Sequence, residues 1–482
     1  MSTRSENEIR TTEVTPHPDM GKSRITTDRA RKLPALQPRL GEPLTGLSPD
    51  EWDRFRAGRR AFGRILYAED GLGPIHNLHS CVGCHSNPVG GSGTNTITMF
   101  GRLSEDGVYS ELTELGGPLL QAEFINPDCA ETVPEEANVV ATRITSSVLG
   151  GGLIESIPSA TMEALAAAQP DAVRGRVHWV RALEDAANAS RRAGRFGFKA
   201  QTATLLSFSG KAARDELGLT NRFFPEENAP NGDLARSTPC DAHPDPELKP
   251  DASGLDFVDR ITDFQRLVAP PPQTPRSGMK GEAVFQRIGC ADCHVPALKT
   301  ENAADVSPAL RDREVRAYSD FLLHDMGDAS DGIQQGEAKR HEMRTTPLWG
   351  FRVRFPIFHD GRVTGATVME RALGGIKWHR GQATAARDRF ESLPEEEMDA
   401  LIRFLDSLGR TEFDGDGDND VDVSDWPFFL KALHGPGQAY CSTEERCAVV
   451  DVDQNTSVDL ADVALLQRAF CGPLTATALV VP

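Results

Sequence analysis

The sequence predicts a mainly α-helical chain made of two related helical units and a small acidic third part. Three observations carry this. A short amphipathic helix leads into the pentapeptide "CVGCH" at 81–85, and another leads into "CADCH" at 290–294. Helix-forming stretches flank both. Beyond residue 410 an aspartate-rich spacing occurs twice, each time ahead of an apolar helix. At 482 residues, two to four domains are expected.

Composition narrows the class. The formal charge of −19 argues against binding nucleic acid or an anionic membrane. No run of 18 apolar residues exists, so no membrane span is expected. The opening "MSTRSENEIRTTEVTPHPDM" lacks an apolar h-region, so no secretory signal is visible.

Residues 1–45 are polar and proline-dotted and read as a disordered arm. A first unit is expected over 46–266. In "LSPDEWDRFRAGRRAFGRIL", Ser48, Pro49 and Glu51 suit an N-cap, a first turn and a capping box, and Trp52, Phe55, Phe62 and Ile65 keep roughly helical spacing. "SATMEALAAAQPDAVRGRVHWVRALEDAANASRRAG" (159–194) is mostly helix-forming. The proline-rich "LVAPPPQTPRSG" (267–278) looks like a linker. A second unit, 279–410, starts with a helix carrying Val284, Phe285 and Ile288 on one side and ends with "PEEEMDALIRFLDSLG". Helix followed by C-x-x-C-H, twice, suggests a duplication.

C-x-x-C-H is the attachment pattern of c-type haem. Two thiols three apart reach neighbouring vinyl groups, and the histidine falls beneath the porphyrin to ligate iron. Cys81, Cys84 and His85 would hold one haem, and Cys290, Cys293 and His294 the other. A zinc module would bring its ligands closer in sequence, and a thioredoxin-like pair needs a βαβ context that is not visible. The sixth ligand decides between electron transfer and reaction with a small molecule. For the second motif the candidates are His324, Met326, His359, Met369 and His379; Met99 is within reach of the first.

Residues from about 70 to 410 resemble the di-haem oxidoreductases also labelled thiol oxidoreductases, relatives of bacterial di-haem cytochrome c peroxidases. The resemblance rests on "GLGPIHNLHSCVGCH", "GGGLIESIPSATM", "GRFGFKAQTATLLSFSGKAARDELGLTNRFFP", "VFQRIGCADCHVPAL", "YSDFLLHDMGD", "RTTPLWG", "HDGR" and "WHRGQA", in that order. It implies two cytochrome c-like haem domains with the haems at their interface, and electrons passing from a donor protein, such as a small cytochrome or cupredoxin, through the C-terminal haem to a reactive N-terminal one. It implies His379 as the distal ligand of the second haem and His359 as a nearby histidine that does not bind iron. Near the first haem, Glu155 and Arg143 are candidates for acid/base and charge-stabilising roles. The "HDGR" element lacks the tryptophan that peroxidases carry there.

The acidic part, 411–482, holds "DGDGDNDVDVSD" (414–425) and "DVDQNTSVDLAD" (451–462). Oxygen donors fall at positions 1, 3, 5, 7, 9 and 12 of both, the pattern of a loop wrapping calcium. The first loop offers Asp414, Asp416, Asp418, Asp420 and Asp425, with Asp422 through water. The second offers Asp451, Asp453, Asn455, Ser457 and Asp462, with Asp459 through water. Position six is Asn419 or Thr456 rather than glycine. Two loop–helix units in tandem resemble a type I dockerin, which implies a small α-helical calcium-binding domain and a cohesin-like partner. Cys129, Cys240, Cys441, Cys447 and Cys471 lie outside the haem motifs, and their pairing is not readable from sequence.

The expected activity is therefore that of a peroxidase-like di-haem oxidoreductase with two covalent haems and calcium. A non-enzymatic electron carrier held in an assembly by its dockerin-like part is the alternative. Haem attachment and calcium filling place the chain outside the cytoplasm, in the periplasm or beyond.

Overall fold

The computed structural model describes residues 33–304, 306–439, 441–443 and 446–470. The described residues from Leu36 onward form one compact unit. Its described part has thirteen α-helices and several small antiparallel sheets, so helix dominates but does not account for everything.

The first helix, Pro49–Gly63, begins where the sequence puts it. Ser48 accepts from Glu51 N, and the Glu51 carboxylate caps Ser48 N in return. Phe55 and Phe62 point inward to Phe264 of the helix Phe257–Leu267, which Asp256 caps. Trp52 and Ile65 instead face solvent, 43% and 55% exposed. The two helices cross at Gly58, where a Cβ would lie 2.5 Å from Arg260 O and 2.7 Å from Phe264 N. The helix Leu205–Leu217 completes this first core through Ala213 and Leu217.

The second core is its counterpart. Helix Lys280–Arg287 lies against Glu395–Ser407, with Phe285, Tyr318 and Phe404 packed edge to face. Thr367 and Glu370 form a capping box for Val368–Lys377. Strand Thr96–Leu103 pairs antiparallel with Val139–Ile144, Tyr109–Ser110 and Leu119–Leu120.

Three expectations are corrected. Within 159–194 only Ser159–Ala168 is α-helical, because Pro170 forces Gln169 into an extended conformation and the chain continues as turns and two short strands. The proline-rich stretch is no loose linker. Leu267–Ala269 and Pro271–Pro275 are buried, Thr274 N donates to Ser407 O at 3.1 Å, and Gly409 N donates to Pro272 O at 2.8 Å. Proline suits this path because it lacks a backbone N–H that would need a partner. Finally, the end of the supposed arm is ordered. Leu44 is buried with its N–H on Leu267 O, and Gln37 binds the Glu412 carboxylate through its backbone N at 3.0 Å. The rest of the arm, residues 1–32, lies outside the described residues.

Gly58→Ala should destabilise the chain by about 2 kcal/mol, since only a shift of one helix relieves the overlap with backbone. Gly63→Ala, with nothing within 4 Å, should leave the thermal unfolding midpoint unchanged or raise it slightly. Equal midpoints for the two variants would contradict the close crossing.

Candidate functional site

The two motifs are built alike. Cys81–Cys84 is one helical turn capped by Ser80, whose hydroxyl accepts from Gly83 N at 3.1 Å. Cys290–Asp292 is a tighter turn that follows Gly289. In each, the histidine N–H closes on the first cysteine's carbonyl at 2.9 Å. A phenylalanine of the preceding helix stands beside each imidazole: Phe62 at 5.7 Å from His85 and Phe285 at 6.3 Å from His294. Nδ1 of His85 lies 3.3 Å from Gly91 O, and Nδ1 of His294 3.0 Å from Tyr318 O. A carbonyl partner places the proton on Nδ1 and leaves Nε2 as the basic nitrogen. Burial pushes both imidazoles down to about 4, so they are neutral near pH 7 and fit to ligate a metal.

The four motif thiols are the free cysteines among the described residues, while Cys129 joins Cys240 and Cys441 joins Cys447. Cys471 lies outside the described residues. Burial pushes the Cys81 and Cys290 thiols up to about 12.

A cavity of about 300 Å³ opens beside the second motif and is lined by Cys290, Cys293 and His294. It runs to Ser92 and Thr145–Val148, which border the first motif: Val148 N donates to Gly90 O at 2.8 Å. Its walls are mainly apolar, with Trp349, Phe358 and Leu401 among them.

His379 faces His294 across this cavity, their ring centroids 6.4 Å apart. Two imidazoles bound on opposite sides of one metal at about 2 Å each would have centroids about 6.3 Å apart. His379 Nδ1 lies 2.8 Å from Gly375 O, so its Nε2 is also the free nitrogen. The other candidates stand differently. His324 lies against the anchor, its Nδ1 3.6 Å from Cys293 Sγ and its Nε2 2.9 Å from the buried Asp320 carboxylate. Met326 and His359 line the cavity; Met369 is 47% exposed. Met99 is buried with Leu119 and Ile333 in a separate cluster.

Glu155 and Arg143 are not brought together. Glu155 receives two bonds from Arg266, at 2.6 and 3.0 Å, and one from Leu205 N at 2.7 Å. Arg143 is buried, paired with Asp331 at 2.6 Å and bonded to Gln335 at 2.7 Å. Lys199, also buried, reaches the same aspartate at 3.1 Å. Neither candidate lines the cavity. Both side chains hold the fold through ion pairs.

In the acidic part, Asp414, Asp416 and Asp425 bring carboxylate oxygens within 4.8 Å of one another, as do Asp420, Asp422 and Asp425, and Asp451, Asp453 and Asp462. Asp418 is exposed and accepts from Asp420 N at 3.1 Å. Asn455 accepts from Ser457 N at 2.7 Å, and Ser457 Oγ donates to Gln438 O at 3.1 Å. Asn419 and Thr456 at position six take positive φ, 75° and 71°, as the sharp turn of such a loop demands. Asp414 is fully buried, and its Oδ2 makes no hydrogen bond. Burial pushes Asp414 and Asp462 up to about 6. A buried carboxylate oxygen with no hydrogen bond, 4.0 Å from Arg352 Nη2, among converging carboxylates fits a hard cation.

A neutral imidazole aimed at an apolar space beside two free thiols suits a haem iron, and the chain is a haem-dependent oxidoreductase. It belongs to the family described as "Di-haem oxidoreductase, putative peroxidase", whose model matches residues 128–408. That span includes the second motif and His379; the first motif and the acidic part lie outside it. Among solved structures the chain is similar to a hydrazine synthase from Kuenenia stuttgartiensis, at 14% identity over 83% of this chain and 100% of that one, with a TM-score of 0.32. It is also similar to a MauG-like protein associated with microbial copper homeostasis, at 14% identity over 78% and 94% of the two chains, with a TM-score of 0.35. No curated protein matches it.

The raised carboxylates predict a pH signature. Asp414 and Asp462 hold protons in the folded chain that ordinary aspartates have lost, so without a cation they cost stability as pH rises from about 4 through about 6. A bound cation removes that cost. The gap between thermal midpoints in calcium and in chelator should therefore open over this range and stay open above it. Coincident curves at pH 7 would exclude a cation from both loops.

Proposed function

We propose that the chain is a di-haem c-type oxidoreductase with peroxidase-like activity, accepting electrons from a small donor protein at the C-terminal haem and reducing a small molecule at the N-terminal one. The observation that carries this is the inequality of two otherwise matching motifs. Both have an imidazole held by a backbone carbonyl and flanked by a phenylalanine. Among the described residues, a second imidazole stands at ligand spacing from His294 alone.

Cys81 and Cys84, and Cys290 and Cys293, would carry the haems as thioethers, with His85 and His294 as proximal ligands and His379 completing the second. Bound there, the haems supply one-electron transfer at the saturated site and small-ligand chemistry at the other. The protein's own part is to keep the imidazoles neutral and oriented, to exclude water with the apolar cavity wall, and to hold His379 through Gly375 O. Arg143 and Glu155 act through the fold, by pairing with Asp331 and Arg266.

The two aspartate loops are read as calcium sites of a dockerin-like domain, with a cohesin-like module as its partner. The two disulfides support an oxidising, extracytoplasmic location such as the periplasm. No helix among the described residues is long and apolar enough to cross a membrane.

His379→Ala tests the assignment. The variant should keep both haems by mass but convert one from low to high spin in its absorption spectrum. Peroxide turnover with a reduced protein donor should fall roughly tenfold or more. A spectrum unchanged from the parent would remove His379 from the iron, and a parent protein that does not turn over peroxide would remove the peroxidase activity.

A further inference from the structure

Arg344 and Arg354, on the cavity wall, have no assigned work. Arg344 donates from Nε to Gly197 O at 2.8 Å and from Nη1 to Thr345 O at 3.2 Å. Arg354 donates from Nη2 to Trp349 O at 2.9 Å. These acceptors are neutral. Neither guanidinium has a carboxylate in ion-pair range among the described residues, unlike Arg143, Arg266 and Arg352, which pair with Asp331, Glu155 and Asp406. Acids are not scarce in a chain with 71 Asp and Glu against 52 Lys and Arg.

Burial pushes both down to about 10, and for Arg344 the charge of Arg354 adds to this while that of Asp320 opposes it. The nearby acid, Asp320, already accepts from Gln169 Nε2 at 2.6 Å and contacts His324 at 2.9 Å. A part-buried guanidinium held only by neutral acceptors favours an anion beside it.

Their placement says which anion. Arg344 stands over the Phe321 ring at 6.0 Å, and Phe321 follows Asp320, whose N–H donates to Cys293 O at 2.9 Å. Arg354 follows Val353, whose carbonyl accepts from Asn87 Nδ2 at 3.2 Å, two residues beyond His85. Arg344 thus stands beside the segment that meets the second motif, Arg354 follows a residue bonded to the first motif's loop, and both line the cavity that His294 and His379 share. A haem carries two carboxylates on one edge, and planar guanidinium forks match carboxylates in geometry and charge. Resting on the haem reading above, we propose that Arg344 and Arg354 bind the propionates of the haem anchored at Cys290 and Cys293, turning that edge towards the first motif and raising that haem's reduction potential.

The test uses the purified haem-loaded protein with Arg344→Gln, Arg354→Gln and the charge-preserving Arg344→Lys and Arg354→Lys. Resonance Raman bands of propionate bending report the contact, and spectroelectrochemical titration reports the potential. Each Gln variant should keep two haems by mass, shift the propionate bands, and lower the potential of the His379-linked haem. The expected shift is about tenfold in its redox equilibrium, about 59 mV for one electron. The Lys variants, which keep the charge and lose the fork, should shift the bands while largely holding the potential; they serve alone where a Gln variant does not fold. Unchanged bands and potentials in variants that carry both haems would overturn the assignment. A parent protein without haem would instead fail the reading on which it rests.

Discussion

The site depends on one repeated hydrogen bond: a backbone carbonyl held against the Nδ1 of each motif histidine. Gly91 supplies it to His85, Tyr318 to His294 and Gly375 to His379. It fixes the tautomer, so that Nε2 is the basic nitrogen in all three, and it fixes the direction in which that nitrogen points. Gly91 lies in the loop that follows the first motif, Tyr318 comes from 24 residues beyond His294, and Gly375 sits in the last turn of the helix that leads to His379. The helix pairs that form the two cores exist, in this sense, to keep those carbonyls still. The Gly58 crossing and the Phe285–Tyr318–Phe404 cluster are the packing that does so.

From this follows the division of labour. Similar local construction gives two neutral, oriented imidazoles; the larger difference lies in what the rest of the fold brings to the opposite side. Helix Val368–Lys377 carries His379 to the second motif. Charge is managed in the same way. Buried Arg143 and Lys199 share Asp331, and Arg266 clamps Glu155, so the scaffold around the cavity is electrically settled. Arg344 and Arg354 lie on the cavity wall with neutral acceptors, which is why they point to an anion that arrives with the haem. The acidic part is tied into the same unit: Glu412 binds both Gln37 and Arg276, and Arg352 reaches Gly417 O at 3.0 Å.

Much of this is legible in the sequence where short-range chemistry decides. The capping box at Ser48 and Glu51 forms as the sequence predicts, and the C-x-x-C-H turns and the twelve-residue aspartate spacing are local signals of the same kind. His379 came from a resemblance, and the 6.4 Å imidazole pair gives it a geometric basis. What is not legible depends on distant partners. Glu155 and Arg143 sit in glycine-flanked or functional-looking contexts, yet their ion-pair partners lie 111 and 188 residues away. The prolines of 267–278 look like a tether until Gln37 and Ser407 close over them. Arg344 and Arg354 carry no local signal, because an unbalanced charge becomes visible only when every possible partner has been placed.

The most direct measurement is electron paramagnetic resonance of the purified protein, alongside its haem content by mass. The account predicts two covalently bound haems in unequal states, one a low-spin bis-histidine signal assigned to His294 and His379, the other distinct from it and responsive to added small ligands. Two identical low-spin signals insensitive to ligand, or a protein with no covalent haem at Cys81, Cys84, Cys290 and Cys293, would contradict it.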